Sequence, residues 1–137
     1  MQNYERVVHG PEGPVPPEPG AAVNDMGTAV EPASLAGAVT YAHQVAGVPV
    51  LVSEHGIAAE DDDLRAAFIE PSLAGLAEEI ERGVPVLGYC HWTLMDNFEW
   101  VAGYHSKLGL HSVDRGGVRA AAQAQRGRLP RRGAPVP

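Results

Sequence analysis

Apolar positions along this chain recur with two different periods. Leu35, Val39 and Ala42, with Val45 near the end, lie at helical spacing and form one stripe, which predicts a helix over Pro32–Ala46. Pro32 suits the first turn of that helix, and Gly47 suits a left-handed stop. Val48–Ser53 follows as a near-continuous, β-branched run, the pattern of a strand buried on both faces. Leu64, Phe68, Leu73, Leu76 and Ile80 mark a second helical stripe that ends at Gly83. Pro71 interrupts the stripe and predicts a short helix followed by a longer one, with Pro71 in the first turn of the second. Val84–Tyr89 is a second buried strand. The order is helix, strand, loop, helix, strand, loop, which means two αβ units with parallel strands.

The flanks lack such periodicity. Met1–Val8 reads as the end of a strand, and His9–Gly20, with five prolines and three glycines, as a long loop. Asn24–Glu31 reads as another loop. Glu60–Asp63 is an acidic run at a helix start, where it complements the helix dipole; a metal site is the alternative. A short segment, His111–Asp114, precedes a basic, aromatic-free stretch over Arg115–Pro137. That stretch reads as a disordered tail. RNA binding is the alternative, disfavoured because no stacking platform accompanies the charge.

Composition narrows the classes. The chain has 137 residues, enough for one small domain, with 45% apolar and 20% charged residues and a net charge of −7. The acidic balance argues against nucleic acid or an anionic membrane as partner. No apolar run approaches the ~20 residues that a membrane span needs. No signal sequence opens the chain, which favours a cytoplasmic protein. The single cysteine, Cys90, excludes an internal disulfide framework and reads as a small apolar residue near a strand end.

Chemistry gathers at two strand ends. Cys90–Trp100 carries both tryptophans of the chain, Phe98, and the carboxylates Asp96 and Glu99. Flat aromatic faces beside acceptor-only carboxylates suit a sugar ring, whose C–H faces stack on indole and whose adjacent hydroxyls donate to carboxylate. A hydrophobic loop anchored by tryptophans is the plainer reading. The other strand ends at Ser53-Glu54-His55-Gly56. A Glu directly after a buried strand is rarely a packing choice. Carboxyl ends of parallel strands are where α/β folds bind ligands.

Four segments together resemble glycoside hydrolase family 1, the β-glucosidase family. Gly88–Trp100 is similar, almost letter for letter, to the G-Y-x-x-W-S-L-x-D-N-F-E-W segment, and Val50–Ile57 resembles the I/V-T-E-N-G segment. Asn3-Tyr4 matches the N-Y pair that closes the sixth strand of that family, while Asp25-Met26-Gly27 and Glu31-Pro32 resemble its M-G-W-x-x-x-P segment. The resemblance covers residues 1–114 and implies the C-terminal third of a (β/α)8 barrel, from the end of strand six through strand eight. A whole barrel needs ~250 residues, so the chain is incomplete by itself, with open sheet edges that favour aggregation.

The family cleaves β-glycosides with retention, using two carboxylates ~5–5.5 Å apart. The resemblance implies Glu54 as nucleophile and Tyr4 as the group that orients it. It implies Trp92 as stacking platform, with Glu99 and Trp100 as hydrogen-bonding partners of the sugar. No metal or other cofactor is called for, the partner is a β-glycoside, and the oligomeric state stays open. His55 departs from the asparagine of the family, Thr93 from its serine, and Leu108 from an aromatic residue of the glycone pocket; Ala29 lies where a bulky aromatic is common. The acid/base of the family lies in an N-E-P segment, and residues 1–137 contain none. The codons of Gln123-Ala124-Gln125, read out of frame, can spell the Pro-Lys-Pro-Ser of the family, which suggests a frameshift near Gly116. The expectation is therefore a β-glycosidase piece without its acid/base. A silent, sugar-binding remnant is the alternative, and a small αβ interaction domain the remotest one.

Overall fold

The structure, a computed structural model, describes residues 1–116 and 119–122. Strand β1 (Gln2–Asn3) comes first, then a hairpin of β2 (Val8–Gly10) and β3 (Gly13–Val15). Helix α1 (Ser34–Ala46), strand β4 (Val50–His55), helix α2 (Asp62–Glu81) and strand β5 (Val86–His91) form the body. A short 3-10 turn, Trp100–Ala102, precedes the antiparallel pair β6 (His111–Asp114) and β7 (Arg119–Ala122).

The body is a parallel sheet in the order β1-β4-β5. Leu35 and Val39 of α1 and Leu76 of α2 pack on Val50 and Val52 of β4. A second cluster joins Phe68 and Ile69 of α2 to Ile57 and Ala59, just past β4. The opposite face of the sheet is bare: Leu51 is 47% and Leu87 72% exposed. The described sheet is open and closes no barrel.

Helix α1 stops at Gly47, which is left-handed at φ 68 and bonds the carbonyl of His43. Helix α2 is capped by Asp61, whose carboxylate accepts from the amides of Asp63 (2.9 Å) and Leu64 (3.5 Å), so the acidic run serves the helix start. The expected division at Pro71 does not occur, and α2 is continuous through it. An internal proline costs about 3 kcal/mol. Phe68, Ile69 and Leu76 anchor both halves, and each buried side chain returns about 1.5–3 kcal/mol. Ser72 Oγ also donates to the carbonyl of Phe68, 2.7 Å away.

Two flanking expectations need correction. His9–Gly20 is not all loop, because Val8–Gly10 pairs with Gly13–Val15. Pro14 is tolerated there because the ribbon has two strands, each with a free edge. The disordered tail expected from Arg115 does not hold for Arg119–Ala122, which pairs with His111–Asp114 and meets the ladder bonds of both strands. The segment around Gln123–Gln125 lies outside the described residues. No helix among the described residues is long and apolar enough to cross a membrane.

Candidate active site

A bulge decides where Glu54 points. Val50 and Val52 face the helices, so strict alternation would send Glu54 the same way. From Val52 to His55 is three steps on β4, whereas their partners Tyr89 and His91 are two steps apart on β5. The extra residue moves His55, rather than Glu54, onto the helix side. His55 is fully buried and stacks on Phe68 of α2, with ring centroids 5.0 Å apart. Glu54 leaves on the open face.

Strand β1 supplies its partners. Gln2 lies in register with Glu54, and Asn3 with His55. Period two puts Gln2 and Tyr4 on the face of Glu54 and Asn3 on the other, where Asn3 Oδ1 accepts from Ser34 Oγ at 3.1 Å. Tyr4 donates to Glu54 Oε2 at 2.6 Å, and Gln2 Nε2 donates to Oε1 at 2.7 Å. Burial, then the bond to Glu54 and the charges of Glu54 and Glu99, push the Tyr4 phenol well above its ordinary value. Tyr4 therefore stays a protonated donor.

Behind the carboxylate runs a neutral relay. His55 Nδ1 lies 2.8 Å from the Tyr89 hydroxyl, which lies 3.4 Å from His91 Nδ1, and His91 Nε2 lies 3.3 Å from the Leu108 carbonyl. A carbonyl only accepts, so His91 carries its proton on Nε2, Tyr89 donates to His91, and His55 donates to Tyr89. Burial lowers both histidines to about 4. The next cause is His91 for His55; for His91, the bond to Leu108 opposes the shift and Arg65 adds to it.

The aromatic stretch forms the opposite wall. Its backbone is tied to residues 108–111: Thr93 N to Leu108 O at 3.1 Å, Leu110 N to Thr93 O at 2.9 Å, and Asp96 N to His111 O at 3.0 Å. Asp96, buried, accepts from the Gly109 amide at 2.9 Å and lies 3.8 Å from Lys107 Nζ. Arg65 of α2 is buried and donates to the carbonyls of Ala59 and Lys107 while pairing with Asp62 at 2.8 Å. Gly56 abuts the Trp92 carbonyl so closely that a Cβ there would overlap it. Trp100 has φ 39, a conformation that costs a non-glycine residue energy.

Tyr4, Glu54, Trp92, Glu99 and Trp100, the five residues singled out from sequence, line one cavity of about 710 Å³. Glu99 Oε2 is buried there without a hydrogen-bond partner, an acceptor left for a donor. Leu108 lines the same cavity, while Ala29 lines a different one beside the hairpin. Cys90 is exposed on β5. Sequence reasoning missed Gln2, Asn24 and Met26, which also line the cavity. Two-residue spacing from Tyr4 was the available signal for Gln2. The other two sit in a turn built on Asn24, whose Oδ1 accepts from the amides of Met26 and Thr28, both at 3.0 Å.

The family model of "Glycosyl hydrolase family 1" matches residues 12–134. The chain belongs to glycosyl hydrolase family 1. The match runs past Asp114, where the resemblance read from the sequence stops. A crystal structure of a beta-glycosidase, BGL167, superposes with a TM-score of 0.86 at 40% identity, covering 99% of this chain and 34% of that one. A beta-galactosidase of Pyrococcus woesei is 39% identical over 92 residues, 67% of this chain and 18% of the relative. A chloroplastic galactolipid galactosyltransferase of Arabidopsis thaliana is 46% identical over 68 residues, 50% of this chain and 11% of the relative. The chain thus spans about a third or less of the length of these family members.

Proposed function

We propose that this chain carries the nucleophile and the glycone-binding wall of a retaining β-glycosidase. Glu54 attacks the anomeric carbon, and the glycosidic C–O bond breaks with its electron pair leaving on the aglycone oxygen. Tyr4 holds the carboxylate while this happens. Trp92 offers the stacking face, Glu99 accepts from sugar hydroxyls, and Trp100 donates its indole N–H. The substrate class is a β-glucoside or β-galactoside, in keeping with the beta-galactosidase relative. One observation carries the reading most: Glu54 is fixed by donors at the mouth of a cavity whose other wall bears Trp92, Glu99 and Trp100.

The acid/base has no counterpart in residues 1–137, because the N-E-P segment is lacking. Glycosides with poor leaving groups need that acid, but an activated aryl glycoside does not. The test is 2,4-dinitrophenyl β-glucoside with the full chain. The expected result is a stoichiometric burst of dinitrophenolate, followed by a stall that azide relieves: it attacks the anomeric carbon without help from a base, the bond to Glu54 breaks, and a glycosyl azide leaves. Absence of a burst at millimolar substrate would sink the proposal.

A second reading is a silent remnant that binds sugar, in keeping with Glu99 Oε2, a buried acceptor without a hydrogen-bond partner. Calorimetric binding of glucose without any burst would select it.

A further inference from the structure

We propose that Gln2 is a second positioning residue for Glu54, holding carboxylate oxygen Oε1 while Tyr4 holds Oε2. The inference rests on the reading of Glu54 as nucleophile.

The contact is set by the fold rather than by a wandering side chain. Gln2 and Glu54 are cross-strand partners in register on adjacent parallel strands. As partners in register they share a face, and the bulge against β5 turns that face away from the helices. Both line the cavity with Trp92 and Glu99. The amide must present Nε2, because its oxygen would face a carboxylate oxygen 2.7 Å away.

A carboxylate attacks through one oxygen, and free rotation about its Cγ–Cδ bond would blur the line of attack. One donor leaves that rotation partly open. Two donors on two oxygens fix the carboxylate plane, which is the kind of preorganisation that shortens the path to a near-attack geometry. The chemistry of the second donor matters as well. A neutral amide orients the carboxylate without neutralising it and has no proton to give, so it does not quench the nucleophile as an acidic donor would.

The test is trapping of the full chain by 2,4-dinitrophenyl 2-deoxy-2-fluoro-β-glucoside, followed by intact mass and peptide mapping. Glu54 bonds to the anomeric carbon, dinitrophenolate leaves with the electron pair, and no proton is required. Gln2→Leu keeps the bulk and removes the donor. We expect trapping about 10- to 100-fold slower, with unchanged reagent affinity and an acid limb moved to higher pH. Gln2→Glu is isosteric and regains a donor only when its carboxyl is protonated, so its trapping recovers towards acid pH while the parent chain slows. A merely structural role leaves the acid limb of Gln2→Leu where the parent has it. Gln2→Leu trapped at the parental rate with the parental limb overturns the proposal and leaves Glu54 as nucleophile. Failure of the parent chain to be trapped at Glu54 overturns the nucleophile reading, and the role of Gln2 falls with it.

Discussion

Glu54 and His55, adjacent on β4, face opposite sides of the sheet because the bulge between Val52 and His55 resets the alternation. One residue serves the cavity, and the next is locked against Phe68. His55→Ala should therefore act at a distance of one residue. Removing the buried ring should cost about 3 kcal/mol of stability and slow trapping at Glu54 by loosening the strand end. His55→Asn is a milder replacement that keeps a polar side chain near Tyr89. Urea midpoints and trapping rates for both variants check this; a His55→Ala chain of parental stability would contradict it.

Acid should weaken the fold through the same ring. Its value in the folded chain, about 4, lies below the ordinary 6.5. The unfolded chain therefore takes up the proton first. The neutral ring contributes its full stability above about 6.5, and that contribution fades as pH falls to about 4. The loss amounts to about 3 kcal/mol for His55, and His91 adds to the slope in the same window. Denaturant midpoints measured from pH 7.5 to pH 4 should fall steeply, and the slope should flatten in His55→Asn. A flat profile in the parent chain would refute the neutral relay.

Gly56→Ala should be far more damaging than its size suggests. The added Cβ meets the carbonyl of Trp92, a backbone atom that cannot rotate aside. The two strand ends must separate, at a cost of about 1–3 kcal/mol or more, and the cavity wall moves with them. Thermal melts and trapping rates should both decline. Gly37→Ala, inside α1 where a Cβ meets nothing within 4 Å, is the control: it should raise the melt slightly, as alanine does in a helix, and leave trapping unchanged.

Glu54→Gln should abolish trapping outright, since an amide does not attack. Tyr4→Phe should slow it about 10- to 100-fold and leave the secondary structure by circular dichroism as it was. A Glu54→Gln chain that still gains the fluoroglucosyl mass on this peptide would place the nucleophile elsewhere.

The bare face of the sheet should make the chain associate with itself. Leu51 and Leu87 are exposed there, and β1 and β5 each pair on one side only among the described residues. Sedimentation should show concentration-dependent species, and Leu51→Lys with Leu87→Lys should shift them towards monomer. A parent chain that stays monomeric at all concentrations contradicts this.

Much of this arrangement is legible in the sequence. Leu35 and Val39 announce α1, Val50 and Val52 announce β4, and the carboxylate after them stands out because burial of an idle Glu is costly. The bulge is not legible, because one extra residue in a strand leaves no compositional trace. Without it, alternation sends Glu54 towards the helices. Gln2 is hidden for a related reason: its role depends on the register of β1 against β4, which is a tertiary fact. Pro71 misleads because local propensity forbids what packing on both sides of it permits. The β2–β3 hairpin is missed because its prolines argue against any strand, and only a free edge makes them harmless.

Arg65 joins α2 to both sides of the cavity at once. Its guanidinium reaches Ala59, just past β4, and Lys107, in the segment that pins the aromatic stretch. Neither side can swing outward while those bonds persist, and the Ala59 amide reinforces them by donating to the Lys107 carbonyl at 3.0 Å. Breathing of this region should thus be all-or-none. The amides of Ala59, Thr93 and Leu110 should exchange with solvent deuterium in a single correlated opening rather than one after another.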